Sequence, residues 1–345
     1  MRKLASIQKI IDIRAIPNAD AIEVASVLGW HCVVKKGEFK VGDLCVYHEI
    51  DCLCPIISDY EFLAKNGIKK SYIEGKEYQG YRIKTIRLRG QISQGLCLPL
   101  SILKGKKFLT DTIVEGKDVT ELLGIVKYEP QIPANLSGEV KGVFPSEIPK
   151  TDETRIQAVP DILKKYQRIP FYMTEKVDGA SVTIFFKEGE LNVCSRNLNL
   201  KDNNNTIWKA VKSLNLTNEK LLNGKIALQG EIIGSGIQKN PLKMNGQEIR
   251  LFNAYNIELG KYLDFEEFVF LCLDLKLKTV PILNRYFMLP KTVDELITTA
   301  SRKSVINNEV LAEGIVLRPL KETRDEDLGR LSFKCINPEY LLNDD

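Results

Sequence analysis

Lys176-Val177-Asp178-Gly179 places an amine and a carboxylate two residues apart. An apolar run (Ile169, Phe171, Tyr172, Met173) leads into these residues and another (Val182, Ile184, Phe185, Phe186) leaves them, so the pattern reads as strand, tight turn, strand with the lysine at the turn. A lysine held there by a rigid scaffold suits nucleophilic chemistry. Its amine, with an ordinary pKa of about 10.4, must first be freed of its proton by burial or by nearby cations. The same four residues also suit a salt-bridged surface turn in which glycine supplies a positive φ. The residues C-terminal to this turn have to decide between the two.

The elements that must position this lysine form two blocks. The 345 residues allow two domains, each with its own core, and 44% hydrophobic with 27% charged residues is a globular composition. No apolar run approaches a membrane span, and Met1-Arg2-Lys3-Leu4 does not open a signal peptide, so a soluble intracellular protein is the expectation. Eight scattered cysteines without a Cys-x-x-Cys pair, and only His31 and His48 as histidines, point to reduced, buried thiols and away from zinc or a disulfide framework.

Residues 1–128 read as short strands with glycine-containing turns: 4–13, 22–27, 31–34, 44–48, 82–88 and 95–98. Strands that short in a small segment predict a closed or nearly closed barrel, which leaves few bare edges. The net charge is only +4, but from Tyr81 to Lys107 there are seven Lys or Arg and no acid. Such clustering suits a phosphate backbone. Arg82, Lys84, Arg87 and Arg89 are the candidate contacts, with Arg87 and Arg89 expected on one side of a strand. A proline-containing stretch, 129–150, is expected to be a linker, and 151–345 a second domain.

In that second domain the pattern predicts a helix opening at Pro160 and Asp161, a helix over 206–214 with Trp208 in the core, and a strand over 225–233 carrying Glu231. It also predicts a strand over 251–257, a helix near 264–273, and a helix opened by a Thr292/Glu295 capping box. Strands at 313–318 and 331–335 complete the domain, with a solvated charged loop, 321–329, between them.

Lys176-Val177-Asp178-Gly179, Ser195-Arg196, Gly230-Glu231, Ala254-Tyr255-Asn256-Ile257, Glu313 to Arg318 and Ser332-Phe333-Lys334 resemble, in order and spacing, the successive motifs of the covalent nucleotidyltransferases. Within that superfamily the chain is most similar to ATP-dependent RNA ligases of the Naegleria and Deinococcus type. Lys150-Thr151-Asp152-Glu153-Thr154-Arg155 and Arg89-Gly90-Gln91-Ile92-Ser93-Gln94-Gly95 extend the similarity. Ile16 to Asp20 with Val33 to Asp43 resembles the opening of OB-fold modules that bind tRNA. DNA ligases and capping enzymes carry an OB domain after the last lysine motif, whereas eleven residues come after Lys334, so the RNA ligase arrangement is the expected one.

The resemblance implies an α+β chain: an N-terminal OB-like β-barrel, then an ATP-grasp-like nucleotidyltransferase domain of antiparallel sheets with flanking helices. It makes Lys176 the nucleophile that takes AMP from ATP, and Lys334 the α-phosphate contact whose charge lowers the pKa of Lys176. Asp178, Glu231 and Glu313 would organise Mg2+ or Mn2+. Arg155 and Arg196 would contact phosphate or ribose, Glu175 would contact the adenine, Tyr255 would stack on it, Val316 would belong to the nucleotide-binding set, and Gly179 would close the motif. Glu231 is a second candidate for the ribose. Where relatives carry Lys-x-Lys this chain has Ser332, and Arg330 is the candidate substitute.

The expected activity is the joining of RNA 3′-hydroxyl and 5′-phosphate ends, in a nicked duplex, by a monomer working in RNA repair. The alternatives are a DNA ligase or capping-type nucleotidyltransferase, and a non-catalytic RNA-binding protein of the same fold.

Overall fold

The computed structural model describes residues 3–73, 75–106, 113–129, 139–203 and 205–343. Two compact units emerge: one from the described residues up to 129 with 157–160 and 342–343, the other from 139–156 and 161–341. No helix among the described residues is long and apolar enough to cross a membrane.

The first unit is built from β1 (Ala5–Ala15), β2 (Ile22–Val27), β3 (Trp30–Lys35), β4 (Leu44–His48), β5 (Cys52–Cys54), β6 (Lys69–Ile73), β7 (Lys76–Arg82), β8 (Ile86–Leu88), β9 (Gln91–Ser93), β10 (Leu96–Pro99) and β11 (Val126–Lys127). Its main sheet has the order β10-β4-β1-β2-β3 and is antiparallel throughout. The long β1 serves two partners, β4 with its first half and β2 with its second, with a register shift between Ile10 and Asp12 that bends it. The sheet curls back on itself: Gln94 N–H donates to the His31 carbonyl at 2.8 Å and Val33 N–H to Ser93 Oγ at 2.9 Å, joining the β9–β10 segment to β3. This is the curled antiparallel sheet of an OB-fold. Ile7, Val46, Tyr60 and Leu123 fill one of its cores.

His48 is wholly buried there, with Nε2 2.9 Å from the Tyr60 hydroxyl. Burial outweighs the backbone carbonyls of Leu96 and Val46 and lowers its pKa to about 4. The unfolded chain takes up a proton as pH falls through about 6.5, while the folded one stays neutral down to about 4, so the fold loses up to about 3 kcal/mol over that interval. Denaturant titrations at pH 7 and pH 4.5 should show that loss, and a smaller one in His48→Gln. An equal acid sensitivity in the variant would place the cause elsewhere.

The strand expected over 82–88 is two elements, β7 ending at Arg82 and β8 starting at Ile86. Arg82 forms an ion pair with Asp51 at 2.8 Å and lies over the Tyr128 ring, which gives it a structural occupation inside the unit instead of the expected phosphate contact. Arg89 is not on a strand either: Arg89 (φ 49°) and Gly90 (φ 82°) form the two-residue turn joining β8 to β9, and two positive φ values are what such a hairpin requires. Arg87 therefore does not share a strand face with Arg89, and one of its Nη atoms donates to the Gly90 carbonyl. Lys84, Arg87 and Arg89 are exposed, and Lys107 lies outside the described residues.

The second unit holds two sheets. The larger has the order β12 (Val140–Val143), β17 (Leu198–Leu200), β16 (Glu190–Cys194), β15 (Ala180–Lys187), β18 (Ile226–Gly234), β19 (Gln247–Asn256), β20 (Lys261–Tyr262). The smaller has the order β13 (Thr154–Arg155), β25 (Phe333–Ile336), β22 (Gly314–Pro319), β14 (Phe171–Lys176), β21 (Ile282–Phe287). The helices are α1 (Asp161–Lys165), α2 (Thr206–Lys212), α3 (Phe265–Asp274), α4 (Val293–Ala300) and α5 (Pro338–Leu342). All strand pairs of the two sheets are antiparallel except β13 with β25, in keeping with the expected architecture.

Trp208 is buried with Ile184, Leu228 and Phe265 in the largest core. The complete capping box belongs to α3, where Asp264 and Glu267 each accept from the other's backbone; at α4 the Thr292 side chain caps Glu295 N–H, but Glu295 accepts from Lys291. Of the expected linker, 130–138 lie outside the described residues, and Val140–Val143 is a strand paired with β17. The loop expected to be solvated holds a short hairpin, β23 (Arg324–Asp325) with β24 (Gly329–Arg330). Its Asp325 is buried and accepts from Lys165 at 2.6 Å and the Tyr166 hydroxyl at 2.8 Å. All eight cysteines are buried thiols, none of them in a disulfide.

Candidate active site

Strand pairing decides which side chains meet. On β14, β22 and β25 the register sets Lys176 beside Gly314, and Thr174 beside Val316 beside Lys334. Directly paired residues point to the same face, so Lys176, Thr174, Val316 and Lys334 share one. Arg155 on β13 joins the row next to Lys334. Glu175 falls between them and so points to the opposite face, where its buried carboxylate accepts from Ser304 Oγ at 2.5 Å and Val305 N–H at 2.7 Å. That carboxylate is therefore held within the fold, while Glu175 remains among the residues that line the cavity beside Lys176.

Lys176 is the last residue of β14 and not yet in the turn. Its Nζ donates to Glu313 Oε2 at 2.7 Å. Burial pulls its pKa down, but Glu313, Glu231 and Asp178 more than compensate and leave it raised. The amine that is depressed is Lys334, lowered to about 7 by burial and by the charges of Lys176 and Arg155. The expected direction between the two lysines is therefore reversed, because the carboxylates gather around Lys176.

Glu231, on β18 opposite Ser181 and Arg250, is raised to about 8. Burial is the main cause, with Lys176 opposing and Glu313 and Asp178 adding. Asp178 is raised to about 6 by burial and Glu313, and accepts a hydrogen bond from the Tyr340 hydroxyl at 2.5 Å. Oxygen-only donors of this kind suit a hard divalent cation that keeps part of its water shell. Among the described residues no three His, Cys, Asp or Glu side chains converge closely enough to hold a metal ion by themselves. Arg196 reaches Asp152 through both carboxylate oxygens, at 2.8 and 3.0 Å.

Gly179 owes its place to close approach and not to a positive φ. A Cβ there would lie 2.2 Å from the Ile232 carbonyl oxygen and 3.0 Å from Glu231 Cγ, so any side chain would push the turn away from β18.

A cavity opens beside Lys176, lined among others by Thr174, Glu231, Phe252, Val280, Val316 and Arg318. The aromatic on its wall is Phe252, not Tyr255. β19 pairs Gln229 with Asn253 and Gly230 with Leu251, which leaves Phe252 as the extra residue of a β-bulge. Tyr255 is buried instead with Phe144, Phe185 and the edge of Tyr262. Both aromatics lie within Leu251-Phe252-Asn253-Ala254-Tyr255, and nothing in that string announces the bulge.

Sequence reasoning also passed over Glu153 and Arg318. Arg318 is fully buried, pairs with Glu153 at 2.7 Å and donates from Nε to Ser332 Oγ at 3.0 Å. Ser332 therefore serves the arginine. Arg330, the expected substitute for a lysine there, is committed to Glu322, to Asn253 at 3.1 Å and to the Tyr262 ring at 3.5 Å.

The family of OB-fold domains matches residues 4–100, and the RNA ligase family matches 169–336. No curated protein matches the chain. Among solved structures, a Naegleria gruberi RNA ligase variant with AMP and Mn is 40% identical with a TM-score of 0.87, over 99% of this chain and 98% of that one. Another variant of that ligase, with ATP and Mn, is 40% identical with a TM-score of 0.86 over 98% of each chain. The Naegleria gruberi ligase with PPi matches at 40% identity and a TM-score of 0.86, over 99% of this chain and 98% of that one. A row of lysines facing a carboxylate cluster, in a chain this similar from end to end, is accounted for by common descent: the protein belongs to the RNA ligase family.

Proposed function

We propose that the protein is an ATP-dependent RNA ligase that joins 3′-hydroxyl and 5′-phosphate RNA ends through a lysyl-AMP intermediate, as a monomer acting on nicked duplexes in RNA repair. The observation that carries this reading is Lys176, which lines the cavity together with Phe252 and Val316 and holds its Nζ 2.7 Å from Glu313. ATP and manganese accompany the ligase variants of similar fold, which supports ATP as the AMP donor.

In this reading adenine takes the cavity lined by Phe252 and Val316, with the α-phosphate toward Lys176 and Lys334. Glu313 is within reach to take up the ammonium proton. The freed amine attacks the α-phosphorus; the P–N bond forms as the P–O bond to pyrophosphate breaks, leaving the phosphoramidate. Lys334 and Arg155 stabilise charge on the phosphate oxygens, and Arg196, steered by Asp152, is placed for the ribose or the phosphate. Asp178, Glu231 and Glu313 would hold the water shell of Mg2+ or Mn2+, which when bound neutralises phosphate charge. AMP then passes to an RNA 5′-phosphate, and a 3′-hydroxyl displaces it. Lys84, Arg87 and Arg89 of the OB unit supply the phosphate-tracking contacts.

Intact mass after incubation with ATP and Mg2+ or Mn2+ tests the first step: a gain of roughly 329 Da is expected, and is lost on adding 5′-phosphorylated RNA. The preparation is first freed of AMP already attached by treatment with pyrophosphate. Absence of any gain would overturn the reading. Phe252→Ala should raise the ATP concentration for half-maximal adduct formation roughly tenfold, since stacking on a base is worth about 1–3 kcal/mol. Tyr255→Leu, which removes that ring, should leave the ATP concentration for half-maximal adduct formation by the folded protein unchanged; the reverse order of effects would return the stacking role to Tyr255.

A further inference from the structure

The residues after the last lysine-bearing strand are tied to the site at two points. Asn337 is completely buried; its N–H donates to the Glu313 carbonyl at 2.9 Å and its Nδ2 to the Ala312 carbonyl at 3.2 Å. The same residue starts α5: its Oδ1 accepts from Glu339 N–H at 3.1 Å, and its carbonyl accepts from the N–H groups of Tyr340 at 3.1 Å and Leu341 at 3.3 Å. That turn of helix delivers the Tyr340 hydroxyl to Asp178 Oδ2 at 2.5 Å. One short segment thus spans from the backbone that carries Glu313 to the carboxylate of Asp178.

We propose that Tyr340 is a positioning residue: held in place by Asn337, it grips one oxygen of Asp178 and leaves the other directed to the divalent cation's water shell. The proposal rests on the ligase reading above. A short carboxylate on the connection between β14 and β15 has free torsions about both side-chain bonds, and a phenol hydrogen bond removes most of that freedom. Tyr340 itself does not touch the reacting atoms; its effect passes through Asp178. The spacing that matters is between Asp178 and Glu313, two carboxylates on different connections, and the Asn337–Tyr340 segment sets it.

The test uses the full chain, wild type and Tyr340→Phe, a change of one oxygen atom. Mn2+ binding in the presence of AMP is followed by the electron paramagnetic resonance signal of free Mn2+, and adduct formation from ATP is timed across a Mn2+ series. The dissociation constant for Mn2+ and the Mn2+ concentration for half-maximal rate are both expected to rise roughly 10- to 100-fold, with the ATP requirement and the melting temperature unchanged. In an Asp178→Asn background the same substitution should add nothing further, because the group it acts through is already altered. Wild-type Mn2+ binding in Tyr340→Phe overturns the proposal, as do effects that multiply with Asp178→Asn. Failure of the wild type to form an adduct would sink the ligase reading alone, since the Mn2+ binding comparison would still decide the role of Tyr340.

Discussion

Lys176→Arg is expected to give a folded protein that takes up no AMP from ATP. The guanidinium keeps a cation beside Glu313, Glu231 and Asp178, the groups that hold the native ammonium, so the local electrostatics survive. What is lost is the lone pair, since arginine stays protonated far above any working pH. Removing a nucleophile outright costs on the order of 10^4-fold or more in rate, which puts the adduct below detection by mass. Lys176→Ala should be equally inactive, but it also strips the nearest positive charge from three carboxylates, which makes the arginine variant the cleaner comparison. Joining of RNA ends that are already adenylylated should survive in Lys176→Arg, because that last step uses no lysine nucleophile. An adduct of normal yield in the arginine variant would show that another residue carries AMP.

The second large effect is on stability. In Glu153→Ala the Arg318 guanidinium keeps its burial and loses its counter-ion. Burial works against the charge of Arg318, but Glu153 more than offsets it and raises its pKa above the ordinary arginine value. Burial likewise pushes Glu153 up, and Arg318 with Arg330 overcomes that push and holds its carboxyl below the usual range. Breaking a buried pair from one side costs about 3–5 kcal/mol. For a unit of this size that is a fall of roughly 6–20 °C in the melting transition of the ligase unit. Glu153→Gln should recover part of the loss by accepting one hydrogen bond. A fall worth less than about 1 kcal/mol in Glu153→Ala would mean that water or another side chain compensates Arg318.

The sequence alone determined those features that depend on residues close together in the chain. Alternating apolar residues around Lys176, the helix with Trp208 inward and the strands at 22–27 and 44–48 follow from periodicity and turn residues. The order of short motifs from Lys176 to Lys334 was equally legible, since order survives in one dimension. That order is enough to assign Lys176, Glu231, Glu313 and Lys334 to one site, and the fold brings them there.

Only the tertiary structure decided which way individual side chains turn, because a strand's face depends on its partners' register and a single-residue shift reverses it. Glu175 lines the cavity next to Lys176, yet alternation turns its carboxylate to Ser304 on the far side. Phe252 enters the cavity and Tyr255 does not because a bulge inserts one residue between Leu251 and Asn253. Arg82 and Arg89 read as basic strand residues, but an ion pair with Asp51 and a two-residue turn claim them. The ionisation of the two lysines reversed for a related reason: three carboxylates from separate strands and turns converge on Lys176, while Lys334 faces Arg155. Charges that far apart in sequence carry no mutual signal until the sheets bring them together.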